Sequence, residues 1–512
     1  MTYIKLHVRK WRELFWKYDK IIIMRDGFMD KDKFDSFYEA FKSKDKRLDG
    51  KYFMGVSSTG IYCRPICTAK MPKKENCTFY KSAAEAELNG YRPCLICRPE
   101  LAPGNAKIDF SKEILKNALK LIDDELFEEI NLQEFSLRLG ISDRHLRRIF
   151  KDELNISPID YIQTSRLLFA KNLLTDTKLS ISDIAFALGF ESLRRFNTLF
   201  KERYKISPSY FRKENNHSKT DSITLKLGYK EPFRYEALLN FLAHRTIPKV
   251  EKIENNKYYK TLAIKKDNEY VYGYIIVENN QEKSVLEITL SESLIKVLPQ
   301  VLNIVKNIFD LNTDPYTVYN VLEDANHIIP GCFKLGTRIP GSPNDFEICV
   351  RAIIGQLISV EKASEVLSRF CQKYGQKIVT GIEGLEYVFP IPEVIASIDS
   401  IYDELCPLKM TRTKASAIEG IAQLLIKKNI NFKRVIDSKE VKNAMLKVKG
   451  IGPWTIDYVA MRSMNEIDIL LTSDYAIKKI LKNKKIEDIS IFDKYQPYRT
   501  YLTIGLWEMK NK

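Results

Sequence analysis

Residues 446–455 read Leu446-Lys447-Val448-Lys449-Gly450-Ile451-Gly452-Pro453-Trp454-Thr455, and Leu471-Thr472-Ser473-Asp474-Tyr475 places an aspartate 22 residues beyond Gly452. This is a helix–hairpin–helix pattern. Gly450 and Gly452 carry no Cβ, so their backbone amides can approach a DNA phosphate closely. A lone Gly-x-Gly is a weak signal, and Asp474 is the decisive addition. Asp474 also reads as a helix N-cap ahead of Tyr475–Ile480, and one carboxylate can serve both roles.

Around this stretch, from about Leu294 to the end, the pattern is helical, with glycine-marked turns expected at Gly336, Gly355, Gly420 and Gly450–Gly452. Residues 222–290 alternate in places, as in Thr261–Ile264 and Tyr270–Val277, which predicts an α+β unit. Residues 112–212 recur at helical spacing and contain an internal repeat. Leu139-Gly140-Ile141-Ser142 leads to Phe150-Lys151 and Ser157-Pro158, and Leu188-Gly189-Phe190 leads to Phe200-Lys201 and Ser207-Pro208. Two helix–glycine–helix units are expected, Asn131–Leu139 into Ser142–Leu154 and Ile181–Leu188 into Glu191–Arg203. A polar break at residues 215–219 closes this part. Residues 50–100 are dense in Cys, Pro, Gly and Tyr, with a short strand expected near Tyr52–Val56, and the segment is too small to hold itself together without a staple. Pro99 and Ala102–Asn105 mark a linker.

The chain has 512 residues, which predicts about three to four domains. At 45% hydrophobic and 29% charged residues it is globular material, and its mean hydropathy is −0.27. No apolar run reaches the ~18 residues that span a bilayer, so no membrane partner is expected. Residues 1–35 read as a basic extension of unknown role, with Met24 or Met29 as an alternative start, and lack the pattern of a signal peptide. The 82 basic against 66 acidic residues give +16 and a pI near 9.1, which points to a polyanion, DNA above all.

Nine cysteines, an odd number, with no export signal place the chain in the reducing cytoplasm. Cys63-x3-Cys67 and Cys94-x2-Cys97 form two close pairs, and four soft thiolates at such spacing suit one tetrahedral Zn2+. A purely structural zinc finger is the rival reading. Cys77 has no partner at ligand spacing and reads as a buried packing residue.

The residues around these cysteines, Gly60-Ile61-Tyr62-Cys63-Arg64-Pro65-Ile66-Cys67, Glu75–Tyr80 and Gly90-Tyr91-Arg92-Pro93-Cys94, resemble the amino-terminal domain of Ada-type methylation-response proteins over residues 36–100. That resemblance implies zinc held by Cys63, Cys67, Cys94 and Cys97. It also implies that Cys63 accepts a methyl group from a DNA methylphosphotriester, once per chain. The duplicated repeat resembles the DNA-binding domain of AraC-type activators over residues 105–213. Recognition helices read base edges while basic groups neutralise phosphates. The candidates are Arg144, His145 and Arg148 in the first unit, and Ser192, Arg194, Arg195 and Asn197 in the second.

The hairpin and Asp474, with Phe346-Glu347-Ile348-Cys349-Val350-Arg351 running on to Leu357-Ile358-Ser359-Val360, resemble AlkA-type alkyl-base DNA glycosylases. Glu231-Pro232-Phe233 and Leu242-Ala243-His244-Arg245-Thr246-Ile247-Pro248 resemble that family's amino-terminal domain, so this resemblance covers residues 219–512. It implies Asp474 as the catalytic carboxylate, Leu357 as the residue wedged into the DNA stack, and Trp454, Tyr458 and Trp507 as base-pocket aromatics. Core packing is the alternative for the two tryptophans. The flipped base, a cationic alkylpurine, would lie against electron-rich aromatic faces. Trp454 stands where bifunctional members carry a Schiff-base lysine, so hydrolysis without strand cleavage is implied. Lys449 departs from the proline usual before the hairpin, and no Pro-Cys-His-Arg motif of a methylguanine-transfer domain is present.

The expected fold is multidomain and predominantly α with α+β parts. Residues 36–104 form a small zinc module, 105–217 a paired helix-turn-helix domain, 218–295 an α+β AlkA-like N-domain and 296–512 an all-α helix–hairpin–helix glycosylase domain. The expected function combines methyl acceptance, methylation-activated transcription control and excision of 3-methyladenine-class bases. Expected partners are alkylated and promoter double-stranded DNA and RNA polymerase, with a monovalent cation at the hairpin as a second cofactor and a monomeric state. Two rivals stay open: a repair protein whose helix-turn-helix part only anchors it, and a transcription regulator with an inactive glycosylase half.

Overall fold

Residues 31–103, 113–126, 130–214, 223–266, 269–428, 432 and 438–510 are described by the computed structural model. The extension at residues 1–30 lies outside them. The cysteine module is a four-stranded sheet in the order β3-β1-β2-β4, with β1 Phe53–Val56, β2 Ile61–Cys63, β3 Cys77–Tyr80 and β4 Arg92–Pro93. The expected strand near Tyr52–Val56 is β1. Helix Lys31–Lys42 lays Phe34, Phe37 and Phe41 against Phe79 and Tyr52, giving the small module an aromatic core. Cys77 is buried in β3, as expected, with its Sγ on the Lys73 carbonyl at 3.3 Å.

The repeat has a mechanical origin. Ser142 and Ser192 cap the helices Asp143–Leu154 and Leu193–Tyr204, each accepting the amide three residues on. Both helices end on a left-handed residue, Asn155 or Lys205. Ser-Pro then starts the next helix, Ser157 capping Pro158–Asp176 and Ser207 accepting from Tyr210 N ahead of Pro208–Glu214. Each unit is thus a capped helix, a left-handed stop and a capped restart.

The two units differ in what they pack on. The first closes its own core from Leu115, Leu119, Phe135, Leu146, Phe150 and Tyr161. The second shares one continuous core with the carboxy-terminal half, running from Phe196 and Phe200 through Leu225 into the carboxy-terminal helices.

That carboxy-terminal half begins with a five-stranded antiparallel sheet in the order β5-β9-β8-β7-β6: β5 Ile223–Gly228, β6 Glu251–Glu254, β7 Lys257–Lys266, β8 Glu269–Asn280 and β9 Val285–Leu290. Helix Tyr235–Ala243 packs on it, and helices from Leu298 onward complete the structure. Gly336 and Gly450 turn with φ of +89° and +93°, and Gly355 ends helix Asp345–Gly355. The turn expected at Gly420 is not there. This glycine sits inside helix Arg412–Lys428, where a Cβ would meet the Val448 side chain at 2.7 Å, so it serves close helix packing.

Three parts of the chain meet at one junction. The long helix Pro158–Asp176 packs against helix Ala83–Leu88, the turn Pro99–Leu101 and β5. Lys171 and Glu100 form a fully buried ion pair there, and Arg98 grips Asp176 through two 2.9 Å contacts. A Cβ on Gly228 would fall 2.0 Å from the Leu101 carbonyl, so glycine is what lets β5 reach the linker. Glu87, buried, accepts from Tyr62 at 3.0 Å and from Tyr204, the last residue of helix Leu193–Tyr204, at 3.4 Å.

Candidate functional site

Parallel pairing of β2 with β4 sets Tyr62 beside Pro93, which brings Cys63 next to Cys94. The turn at Arg64–Cys67 and the Cys94–Cys97 loop then close the four sulfurs to within 4.8 Å of one another. A tetrahedral site with ~2.3 Å bonds to sulfur needs such an approach. All four cysteines are free thiols, and the Arg64 amide donates to Cys97 Sγ at 3.3 Å. Arg64 itself is buried and paired with Asp49, with its Nε at 2.8 Å. Four soft donors at this distance fit a single divalent zinc ion. Cys63 is 8% exposed, less open than Cys67 or Cys97.

The second site is a cleft of about 1130 Å³ in the carboxy-terminal half. Asp474 stands in its wall as the N-cap of helix Tyr475–Asn483, accepting from Ala476 N at 2.9 Å and Ile477 N at 3.3 Å through Oδ1. The expected cap is therefore present. Two indoles also donate to the same carboxylate, Trp454 Nε1 to Oδ2 at 3.3 Å and Trp507 Nε1 to Oδ1 at 3.2 Å. Trp454 stacks on Tyr458 with centroids 5.3 Å apart, and Tyr458 faces Trp507 at 6.0 Å. The three sequence-predicted pocket aromatics thus gather beside the Asp474 carboxylate.

Arginines complete the pocket, and the sequence reading assigned them no role. Arg462 donates to the Tyr458 hydroxyl at 2.7 Å and to the Pro340 and Gly341 carbonyls. Arg245 lies 3.7 Å over the Phe241 ring, and burial lowers its pKa. Burial pushes the Tyr458 phenol up, yet the Arg462 and Arg245 charges bring it below its ordinary value. Behind them Lys260, wholly buried, lies between Glu347 at 2.7 Å and Glu251 at 3.2 Å. Arg351 binds both carboxylates and donates to the Arg245 carbonyl at 2.7 Å. This four-charge network fixes the loop that carries Arg245. The spacing Trp454–Tyr458–Arg462 was a readable signal, since residues four apart share one helix face. Arg245 likewise follows Phe241 by four.

Leu357 lies at the cleft mouth, fully exposed and in the left-handed region with φ +58°. Its loop is clamped. Gln356 Nε2 donates to the Gly450 carbonyl at 3.1 Å and to Thr455 Oγ1 at 2.9 Å, and Lys414 Nζ binds the Ile354 and Gln356 carbonyls at 2.8 Å each. The hairpin glycines Gly450 and Gly452 line the same cleft.

None of the helix-turn-helix candidates belongs to the cysteine cluster or lines the Asp474 cleft. Arg144, Arg148, Arg194 and Arg195 are exposed, while His145 and Asn197 are half-buried. Ser192 is engaged as a helix cap.

Comparison with known proteins matches four regions. Residues 36–100 match the metal binding domain of Ada, 135–214 a helix-turn-helix domain, 224–344 the AlkA N-terminal domain and 350–488 the HhH-GPD superfamily of base excision DNA repair proteins. The chain is 27% identical over 488 residues to a probable bifunctional transcriptional activator/DNA repair enzyme AlkA of Mycobacterium tuberculosis, covering 93% of this chain and 96% of that one. It is 29% identical to DNA-3-methyladenine glycosylase 2 of Escherichia coli, over 55% of this chain and 95% of that protein. It is 31% identical to the bifunctional transcriptional activator/DNA repair enzyme AdaA of Bacillus subtilis, over 36% of this chain and 86% of that protein. The chain therefore belongs to the Ada-type family, and in it an Ada-type metal-binding domain and an AraC-type DNA-binding domain are joined to an AlkA N-domain and a helix–hairpin–helix base-excision domain.

Proposed function

We propose that this protein answers DNA alkylation in three ways: it accepts a methyl group from methylphosphotriesters on Cys63, regulates transcription in response, and excises alkylated purines by hydrolysis. Its domains span residues 36–104, 105–217, 218–295 and 296–512. Cys63, Cys67, Cys94 and Cys97 would hold zinc, which keeps a bound thiol ionised near neutral pH. Attack by the Cys63 sulfur on the methyl carbon forms the S–C bond as the C–O bond to phosphate breaks, leaving a phosphodiester anion. Arginines 144, 148, 194 and 195, with His145 and Asn197, contact DNA through the recognition helices.

The observation that carries the excision reading is Asp474 held by two indoles and two helix amides at the wall of an aromatic cleft. Its carboxylate stabilises the developing positive charge on the sugar and assists water, Trp454, Tyr458 and Trp507 contain the base, and Leu357 fills the stack. Gly450 and Gly452 offer amides to a phosphate, where a monovalent cation would also bind.

Single-turnover release from methylated duplex tests this. Asp474→Asn keeps the shape and removes the charge, so the rate should fall at least ~10²-fold. Borohydride should trap no covalent adduct, since Trp454 cannot form a Schiff base. Undiminished release would mean the wrong carboxylate, and a trapped adduct would overturn hydrolysis. The continuous core of the second helix-turn-helix unit and the excision half favours a second reading, in which this part anchors the enzyme on DNA. Equal promoter affinity before and after methylation of Cys63 at low salt would select it.

A further inference from the structure

Helix Tyr475–Asn483 begins at Asp474 and reads YAIKKILKN, and Lys484 and Lys485 follow. Residues 476–485 thus hold Lys478, Lys479, Lys482, Lys484 and Lys485 and no acidic residue. All five lysines are exposed. Among the described residues, none of Lys478, Lys482 and Lys485 is in an ion pair.

Three of these lysines line one groove. Lys478, Lys482 and Lys485 border an open cleft of about 630 Å³ with Thr472, Ser473, Leu481, Ile486, Glu487 and Ile489. Three lysines and one carboxylate, Glu487, line it, so the groove carries a net positive charge of two. Ser473 lines both this groove and the Asp474 cleft, so the two openings meet there. The hairpin glycines border the Asp474 cleft as well. Lys478 and Lys482 are one helical turn apart, a rise of about 6 Å, which is of the order of the step between consecutive phosphates.

We propose that the Lys478–Lys482–Lys485 groove is a binding site for the DNA backbone, taking two or three phosphates of the damaged strand as it leaves the base pocket past Ser473. This rests on the base-excision reading and adds a second anchor to it. The hairpin amides hold the strand on one side of the extruded nucleotide and the lysines hold it on the other. Backbone neutralisation of this kind is independent of sequence, as an enzyme that meets lesions in any context requires.

The full chain tests it, with a defined duplex carrying one alkylated purine and the same duplex undamaged. The triple variant Lys478→Gln/Lys482→Gln/Lys485→Gln changes only exposed side chains. Each released phosphate contact is worth ~0.9 in the slope of log affinity against log salt, so the variant's slope should be shallower by about 2 to 3. Uncharged methylphosphonate linkages, placed singly on either side of the lesion, locate the contact. The unaltered protein should lose affinity at two or three consecutive linkages on one side of the lesion, where the variant loses none. An unchanged slope overturns the proposal, as does a shallower slope with equal losses at every linkage. Base release by the unaltered protein is read separately. If it is absent, the excision reading falls, while the slope on undamaged duplex still measures the groove.

Discussion

The thiol centre and the base pocket are built in opposite ways. All four cysteines fall between residues 63 and 97, and one parallel strand pair with two tight turns assembles them. The pocket draws Leu242 and Arg245, Leu357, Trp454 to Arg462, Asp474 and Trp507 from five separate segments, and a buried charge network sets one wall. The first is held by what it would bind, and the second by what surrounds it. A ligand-held site should fail when the ligand leaves, and a scaffold-held site when its support is cut.

The largest effect should come from the metal. Removing zinc with a strong chelator, or replacing Cys94 by Ser, forfeits a binding energy of order 10 kcal/mol that is folding energy for so small a module. Methyl uptake should vanish, while base release stays within about twofold. A parallel loss of base release would show that the two sites are not separately supported.

Next comes the network behind the pocket. Glu347→Ala leaves the wholly buried Lys260 with one carboxylate that Arg351 also claims, and breaking such a pair costs about 3–5 kcal/mol. Chemical denaturation should show that loss in the carboxy-terminal half, whereas zinc content is unchanged. Lys260→Met with Glu347→Leu should recover much of it, because a packed apolar pair avoids the desolvation of both charges.

Leu357→Ala is smaller. Burial of a leucine side chain is worth about 1.5–3 kcal/mol, so the loss of most of that contact predicts about tenfold slower base release from duplex. Release from single-stranded substrate, which has no stack to fill, should be unchanged, and an equal loss on both substrates would remove the wedge role.

A further effect is a pH dependence at the junction. Burial pushes Glu87 up to about 8 against the hydrogen bonds of Tyr62 and Tyr204 and the charges of Arg203 and Lys171. The folded chain therefore binds a proton that the unfolded chain gives up near pH 4.5. This contribution to stability is full below pH 4.5 and falls as pH rises to about 8. Glu87→Gln should flatten that part of the profile, read as the change in Tm between pH 5.5 and 7.5.

The thiol centre was legible because its spacing is local and its residue type is rare. Asp474, Trp454, Tyr458 and Trp507 were legible through the resemblance, which carries distant residues that no periodicity connects. Lys260 and Glu347 were not, since a lysine in a strand and a glutamate in a helix ordinarily face solvent, and only the packed fold shows both buried. Gly420 misled because a glycine in sequence marks either a turn or a close approach, and Val448 decides between them from another helix. The junction of Arg98, Glu100, Lys171 and Asp176 joins residues up to 78 apart, which charge patterning along the chain does not reveal.

Leu357 also bears on how this protein would respond to engineering for stability. A left-handed backbone costs an ordinary side chain roughly 1–2 kcal/mol, and the same residue holds its whole apolar surface in water. Both costs fall on the resting protein and neither on a chain with glycine or asparagine there. A screen that ranks variants by heat resistance would therefore reward replacing Leu357. On the proposed role of this side chain, the most heat-resistant variants would be among the weakest at extruding a base.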